Sequence, residues 1–290
     1  MSPNLKGALL MMASMACFTV NDAFLKATGG DLPLFQLLFL RGVLATSLLG
    51  LLAWSNGAIR FDVPRKDAWL ILGRSVSEIG AAFFFVTALL NMPFANVTAI
   101  LQILPLAVTL GAALFFKEPV GWRRFLAIGV GFAGMLLIVR PGTDGFTLWS
   151  VYALITVVFV TARDLFTRRM SSRAPSLLVT LCASFTVMAV SGLASVTADW
   201  APVTPTLWVL IVSSSLFITG AYYFSVQVMR TGDVAFIAPF RYTGLVLALV
   251  LGIVVFGEWP TNLTLIGAAI IVATGLFTFY REQRLARGRA

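Results

Sequence analysis

Charge is what this sequence lacks most. Only 11% of its 290 residues are Asp, Glu, Lys or Arg, where a soluble globular chain runs near a quarter. Histidine is missing altogether, and the two cysteines, Cys17 and Cys182, both lie inside apolar runs. Zinc, haem and iron–sulfur centres draw on clusters of those residues, so no metal or cofactor is expected. Nucleophile pairs that need a histidine base fall for the same reason. Gly129-Val130-Gly131 is no dinucleotide turn, because it lies within an apolar run rather than between a strand and a helix. A phosphate-binding loop for ATP hydrolysis is missing too, which excludes a primary pump.

What is abundant is hydrocarbon: 59% of the residues are hydrophobic. The apolar runs fall at 7–25, 33–54, 68–90, 94–116, 125–140, 147–167, 175–198, 206–228, 234–256 and 263–280. Each is near the ~20 residues that cross a bilayer. Between them lie turns rich in Gly, Pro and polar residues, such as KATGGDL, PGTDGF and DWAPVTP. Inside lipid each backbone group must be paired within its own segment, so the runs are expected to be helices. The first begins with Lys6 alone and shows no clear cleavage site, so it is kept as a helix rather than a leader.

The net charge of +9 would suggest nucleic acid in a soluble chain. Its distribution says otherwise. Lys6, Arg60, Arg65, Lys66, Lys117, Arg123, Arg124, Arg168, Arg169, Arg173, Arg230, Arg281, Arg284, Arg287 and Arg289 fall on one side, and only Lys26 and Arg140 on the other. Basic residues mark loops that stay in the cytoplasm, so both termini are expected there. The expected partner is a lipid bilayer, and no nucleic acid is expected.

The halves repeat weakly, at two nearly equal offsets. Adding 140 carries Gly80, Ala81, Phe84, Ala95, Phe116 and Glu118 onto Gly220, Ala221, Phe224, Ala235, Phe256 and Glu258. Adding 142 carries Thr19, Asp22, Phe24, Lys26 and Pro33 onto Thr161, Asp164, Phe166, Arg168 and Pro175. Five helices per half is an odd number, so the second copy must enter upside down. The expected fold is therefore an all-α integral membrane protein, with ten transmembrane helices in two inverted five-helix repeats, 1–140 and 141–290, around a central cavity. Inverted repeats place a substrate between the halves near mid-membrane.

Polar residues inside lipid are costly and mark a pathway. Helical spacing aligns Tyr152, Thr156, Phe159 and Arg163 on the sixth helix, matched on the first by Ser14, Cys17 and Asn21. On the eighth, Ser215, Tyr222 and Ser225 share a face; on the fourth, Thr98, Gln102 and Thr109 do. Gln102 maps onto Tyr242, beside Arg241. Glu78 lies roughly 15 Å into the third helix and Arg41 about 12 Å into the second, so the two are within reach of pairing. Two readings of Glu78 stand: a proton or ammonium site, and a packing ion pair with Arg41. Arg241 is either a carboxylate clamp or a chain reaching the interface. Arg163 with Asp164 reads as interfacial and Arg74 as snorkelling. Asp22 and Lys26 read as the end of the first helix, and Glu118 and Glu258 as loop caps. The fifth and tenth helices, rich in Gly and Ala, are expected to be scaffold. An aspartyl pair of Asp22 and Asp164 is excluded, since they lie at opposite ends of the bilayer; no enzyme is expected.

The stretch NMPFANVTAILQILPLAVTLGAALFFKEP, followed by GVGFAGMLLIVRPG, resembles the EamA type of the drug/metabolite transporter superfamily. TGDVAFIAPFRYTGLVLALVLGIVVFGEWP resembles the second copy of that unit. The resemblance implies a secondary transporter of small metabolites. Within the superfamily the chain is most similar to bacterial exporters of aromatic amino acids, which implies outward transport of zwitterions. On that reading the ring meets Tyr222, the carboxylate Arg241, and the ammonium Glu78 or the polar face of the fourth helix. Multidrug export, and uptake or exchange of another small metabolite, stand as alternatives. The oligomeric state is open, and a monomer is the working expectation.

Overall fold

The computed structural model describes residues 2–59, 62–117, 121–141, 146–171, 173–228, 231 and 234–287. Among them there are helices and no strand. In chain order they are α1 (Pro3–Lys26), α2 (Leu34–Ser55), α3 (Arg65–Asn91), α4 (Phe94–Leu101), α5 (Leu104–Phe116), α6 (Trp122–Val139), α7 (Leu148–Arg169), α8 (Ser176–Ser195), α9 (Pro205–Val228), α10 (Val234–Ile237), a 3-10 turn (Ala238–Tyr242), α11 (Thr243–Phe256) and α12 (Asn262–Arg287). Nine spans among the described residues are long and apolar enough to cross a membrane, and the shorter Phe125–Val139 is the tenth. Prolines set many of the starts: Pro33, Pro64, Pro93 and Pro175 stand immediately before α2, α3, α4 and α8. A proline there fixes an extended approach and costs no helical hydrogen bond.

The fourth and ninth apolar runs are expected to be continuous, and both are broken. At Gln102 and Ile103 the backbone bonds tighten to Ala99 and Ile100, three residues back. Pro105, in the first turn of α5, has no N–H to return to Leu101. The other break is the 3-10 turn around Pro239. Gln102 and Tyr242, related by the 140 offset, sit at the two breaks. The ends correspond as well: Lys117 after α5 and Gly257 after α11 are both left-handed, at φ 54° and 65°. Glycine takes that conformation without strain, and the lysine copy holds it all the same.

The packing maps onto itself when the halves are exchanged. The most extensive contacts join α1 to α9, α3 to α7, α2 to α8 and α6 to α12. Exchange turns the first pair into the second and leaves each of the others unchanged. At atomic scale, Phe159 of α7 lies on Gly80 of α3, where an added Cβ would come 2.5 Å from its ring. The equivalent contact is Cys17 of α1 on Gly220 of α9, with 3.7 Å to the sulfur. Phe159 is itself stacked on Phe84 at 5.7 Å, so it cannot yield. Gly80→Ala is therefore expected to lose about 1–3 kcal/mol, while Gly220→Ala should be neutral. Thermal unfolding of the two variants in detergent checks the contrast.

One face of the bundle carries the start of α1 and the end of α12, and is called here the terminal face; the other is the distal face. At the distal face the halves are stitched together. Gln36 donates to the Ala201 carbonyl at 2.7 Å and accepts from its N–H at 2.9 Å. Thr264 donates to Asn96 at 3.0 Å, and Arg140 to Thr261. At the terminal face Ser171 donates to Asp67 through both its N–H and its hydroxyl.

Candidate functional site

Charged side chains from four helices, α1, α2, α3 and α7, converge between the halves. Glu78 is the middle residue of α3, thirteen from either end. Its Oε1 is 3.4 Å from Arg163 Nη1 on α7, and its Oε2 is 3.9 Å from Arg74 Nη1 one turn earlier. Arg163 also clasps its neighbour Asp164, through Nε and Nη2 at 3.0 Å each. Arg74 donates from Nε to Thr167 at 3.1 Å and from Nη1 to the Val179 carbonyl at 3.3 Å.

A second cluster lies on α1, α2 and α9. Arg41 donates from Nε to Ser214 and from Nη2 to the Asn21 carbonyl oxygen, each at 3.1 Å. Ser214 donates to the same Asn21 oxygen at 2.7 Å, and the Asn21 amide donates to Asp22 Oδ1 at 2.8 Å. Among the described residues no carboxylate lies within 4 Å of the Arg41 guanidinium. Tyr222 joins the two clusters. It stands in the field of Glu78, Arg163, Arg74 and Arg41, and meets the Phe18 ring edge-on at 5.5 Å. Beside Glu78 runs an aromatic column. Phe84 contacts Phe83 at 5.1 Å, Tyr152 at 5.0 Å and Phe159 at 5.7 Å, and Trp149 closes on Tyr152 at 5.6 Å.

The same family pattern matches this chain twice, over residues 5–140 and 147–280. The chain belongs to the EamA-like transporter family. It is a membrane transporter of small molecules and not an enzyme, and its homologues transport several kinds of metabolite. It is 26% identical over 290 residues to an S-adenosylmethionine uptake transporter of Rickettsia felis, covering 97% of this chain and 94% of that one. It is 28% identical over 225 residues to a riboflavin transporter of Vibrio cholerae, covering 77% and 75%. It is 25% identical over 273 residues to a pseudopaline exporter of Pseudomonas aeruginosa, covering 92% and 93%. A solved crystal structure superposes with a TM-score of 0.69 over 96% of this chain and 98% of that one; at 21% identity the likeness is one of fold.

Several sequence expectations about this transporter's side chains need correction. Glu78 does not pair with Arg41; α7 brings Arg163 to it instead. Arg163 therefore faces the interior as well as Asp164, and is not confined to the interface. Arg74 does not snorkel, since it is 7% exposed and its donors are taken within the bundle. Tyr242 turns away from both clusters into α12: its hydroxyl fills the notch at Gly275, and its ring lies 6.5 Å from Phe279. No correction falls on Arg241, which is half-buried in the 3-10 turn and makes no ion pair among the described residues.

Of the other positions, Asn21 and Tyr222 sit in the clusters and Tyr152 in the aromatic column. Thr98 and Gln102 lie half-buried on α4 and at its break, and Ser225 is half-buried one turn beyond Tyr222. Sequence reasoning passed over Ser214 and took Asp22 as a helix-end residue. The available signal was the Ser213-Ser214-Ser215 run in an otherwise apolar helix, with Ser214, Ile218 and Tyr222 in one row.

At the distal face Lys26 Nζ meets Glu258 Oε1 at 3.1 Å and donates to the carbonyls of Leu89 and Met92 at 3.2 and 2.6 Å. Glu258 Oε2 accepts from the Phe94 N–H at 2.6 Å, capping α4. Lys26 thus closes the end of α3 and Glu258 the start of α4, each suited in sign to the helix dipole it faces. Glu118, the other loop acid, lies outside the described residues.

Proposed function

We propose that this transporter exports small zwitterions that carry an aromatic or other hydrophobic group, with aromatic amino acids first among them. The observation that carries the reading is the meeting of both charge signs between the halves, against a column of aromatic rings. Arg41, Arg74 and Arg163 are balanced by Asp22, Glu78 and Asp164, so the pathway carries both signs of charge without net charge. Tyr222 and the rings around Phe84 supply the apolar wall.

Residues 1–140 and 141–290 are the moving halves, rocking to expose the cavity to each face in turn. The terminal face is cytoplasmic in the bacterial inner membrane, as the distribution of basic residues indicates. One chain holds both halves of the pathway, so a monomer suffices for transport.

Direction is tested in cells. Expression is expected to lower the steady-state content of labelled phenylalanine in preloaded cells several-fold and to give resistance to a toxic phenylalanine analogue. Unchanged retention, with the protein shown to be in the membrane, would contradict the export reading.

A second reading is uptake of a nucleoside-bearing amino acid that carries an additional sulfonium charge. It is supported by the near-complete coverage of the Rickettsia felis S-adenosylmethionine transporter. Such a substrate has the same amino-acid head and a larger ring, so it would use the same groups. Inward accumulation of labelled S-adenosylmethionine, without efflux of phenylalanine, would favour it. Competition by unrelated lipophilic cations would point to multidrug export instead.

A further inference from the structure

A buried arginine and a buried carboxylate ordinarily meet directly, because either alone is costly in a low-dielectric interior. Arg163 and Asp164 do so. Arg41 and Asp22 do not, although each lies in the other's field. Asn21 stands between them, with its carbonyl oxygen turned to Arg41 and its amide nitrogen to Asp22. A side-chain amide can offer an acceptor to a cation and a donor to an anion at the same time, which suits it to this position. The spacer is fixed: Asn21 is 2% exposed, and Ser214, which holds both Asn21 and Arg41, is fully buried. Arg41 and Asp22 are only half-buried.

We infer that Arg41 and Asp22 are a split ion pair, held apart by Asn21 to receive the carboxylate and the ammonium of one α-amino acid head group. The inference rests on the zwitterion reading above and assigns its two charges to named side chains. A zwitterion supplies the two contacts that the amide withholds, and the sum of charge remains zero before and after binding. A ligand with only one of the two charges leaves either Arg41 or Asp22 without a charged partner. A site built around polar contacts rejects a ligand that lacks one of them. Arg163 and Arg74 are committed to protein acceptors, so their role is to hold α3, α7 and α8 together.

The test is exchange in proteoliposomes of a labelled compound with a zwitterionic α-amino acid head group, taken from phenylalanine, tryptophan and S-adenosylmethionine. Unlabelled phenylalanine, 3-phenylpropionate and phenethylamine serve as competitors. The wild type should be blocked by phenylalanine and by neither one-charge analogue at a concentration about tenfold higher. Asp22→Asn should weaken the zwitterion about tenfold or more and admit 3-phenylpropionate as a competitor. Arg41→Gln should admit phenethylamine instead. Asn21→Asp, which lets Arg41 pair directly, should stop exchange while leaving the unfolding temperature near that of the wild type. Should Arg41→Gln fail to fold, Arg41→Lys takes its place, with the zwitterion preference kept and KM raised, since a lysine lacks the planar fork.

A uniform loss for every competitor, or no change, in folded Asp22 and Arg41 variants would overturn the split pair and leave the export reading standing. No exchange of any zwitterion by folded wild-type protein would overturn both.

Discussion

Gly267→Val is expected to leave no monodisperse folded protein when membranes are solubilised. α6 and α12 cross with their backbones touching. A Cβ on Gly267 would lie 2.5 Å from the Gly134 carbonyl oxygen and 2.7 Å from Ile138, and one on Gly134 would lie 3.0 Å from the Gly267 oxygen. Small residues permit this approach between membrane helices, where dispersion forces rather than water drive association. Overpacking usually costs about 1–3 kcal/mol because side chains can shift. Here the obstacle is a backbone oxygen, so the helices themselves must part, and the loss should reach or exceed ~3 kcal/mol. That is a large share of a total of roughly 5–15 kcal/mol. Gly129→Val, on α6, is the control, since nothing lies within 4 Å of its added Cβ. Size-exclusion profiles and unfolding temperatures separate the two; equal behaviour would contradict the described crossing.

The second large effect is expected at the distal face. Lys26 and Glu258 join the end of α1, the α3–α4 corner and the turn after α11 through one ion pair and three backbone hydrogen bonds. Their side chains are 10% and 25% exposed. The loss on removing one partner should therefore fall between that of a surface pair and that of a buried one. A figure of about 2 kcal/mol corresponds to roughly thirty-fold in the local opening equilibrium. Lys26→Met and Glu258→Gln should each raise amide exchange by about that factor in residues 89–96 and 257–262. The α7–α8 turn at the terminal face should be unaffected. Exchange mass spectrometry reads both faces in one experiment. In the proposed rocking of the halves the distal face must part, so the same variants should favour the distally open state.

Much of the architecture was legible because membrane chemistry constrains it. A backbone that must satisfy itself forms helices, and the apolar runs gave their number and, within a few residues, their ends. The 140 and 142 offsets proved to be physical: Gly80 with Phe159 and Gly220 with Cys17 are equivalent contacts in the two copies. The helix breaks were legible only in part. Pro105 and Pro239 marked where backbone donors are missing, but not that two short segments would replace each continuous helix.

The site was harder to read because its geometry depends on rotation and tilt between helices, which spacing along one helix does not contain. Depth along α2 and α3 made Arg41 and Glu78 plausible partners. In the fold α7 interposes Arg163, while Asn21 and Ser214 claim Arg41. Tyr242 shares an offset with Gln102, yet its side chain is drawn toward α12 by the space at Gly275. Arg74 has the sequence of a snorkelling residue and is instead held by Thr167 and the Val179 carbonyl, from helices more than ninety residues away. Those partners are long-range, and no local pattern announces them.

The central claim is that this EamA-like transporter carries zwitterions. Counterflow of radiolabelled phenylalanine into proteoliposomes preloaded with unlabelled phenylalanine tests it most directly. The account predicts saturable accumulation, inhibited by tryptophan and methionine and unaffected by a lipophilic cation. Accumulation indistinguishable from protein-free liposomes, with folded protein in the bilayer and the same result for S-adenosylmethionine, would contradict it.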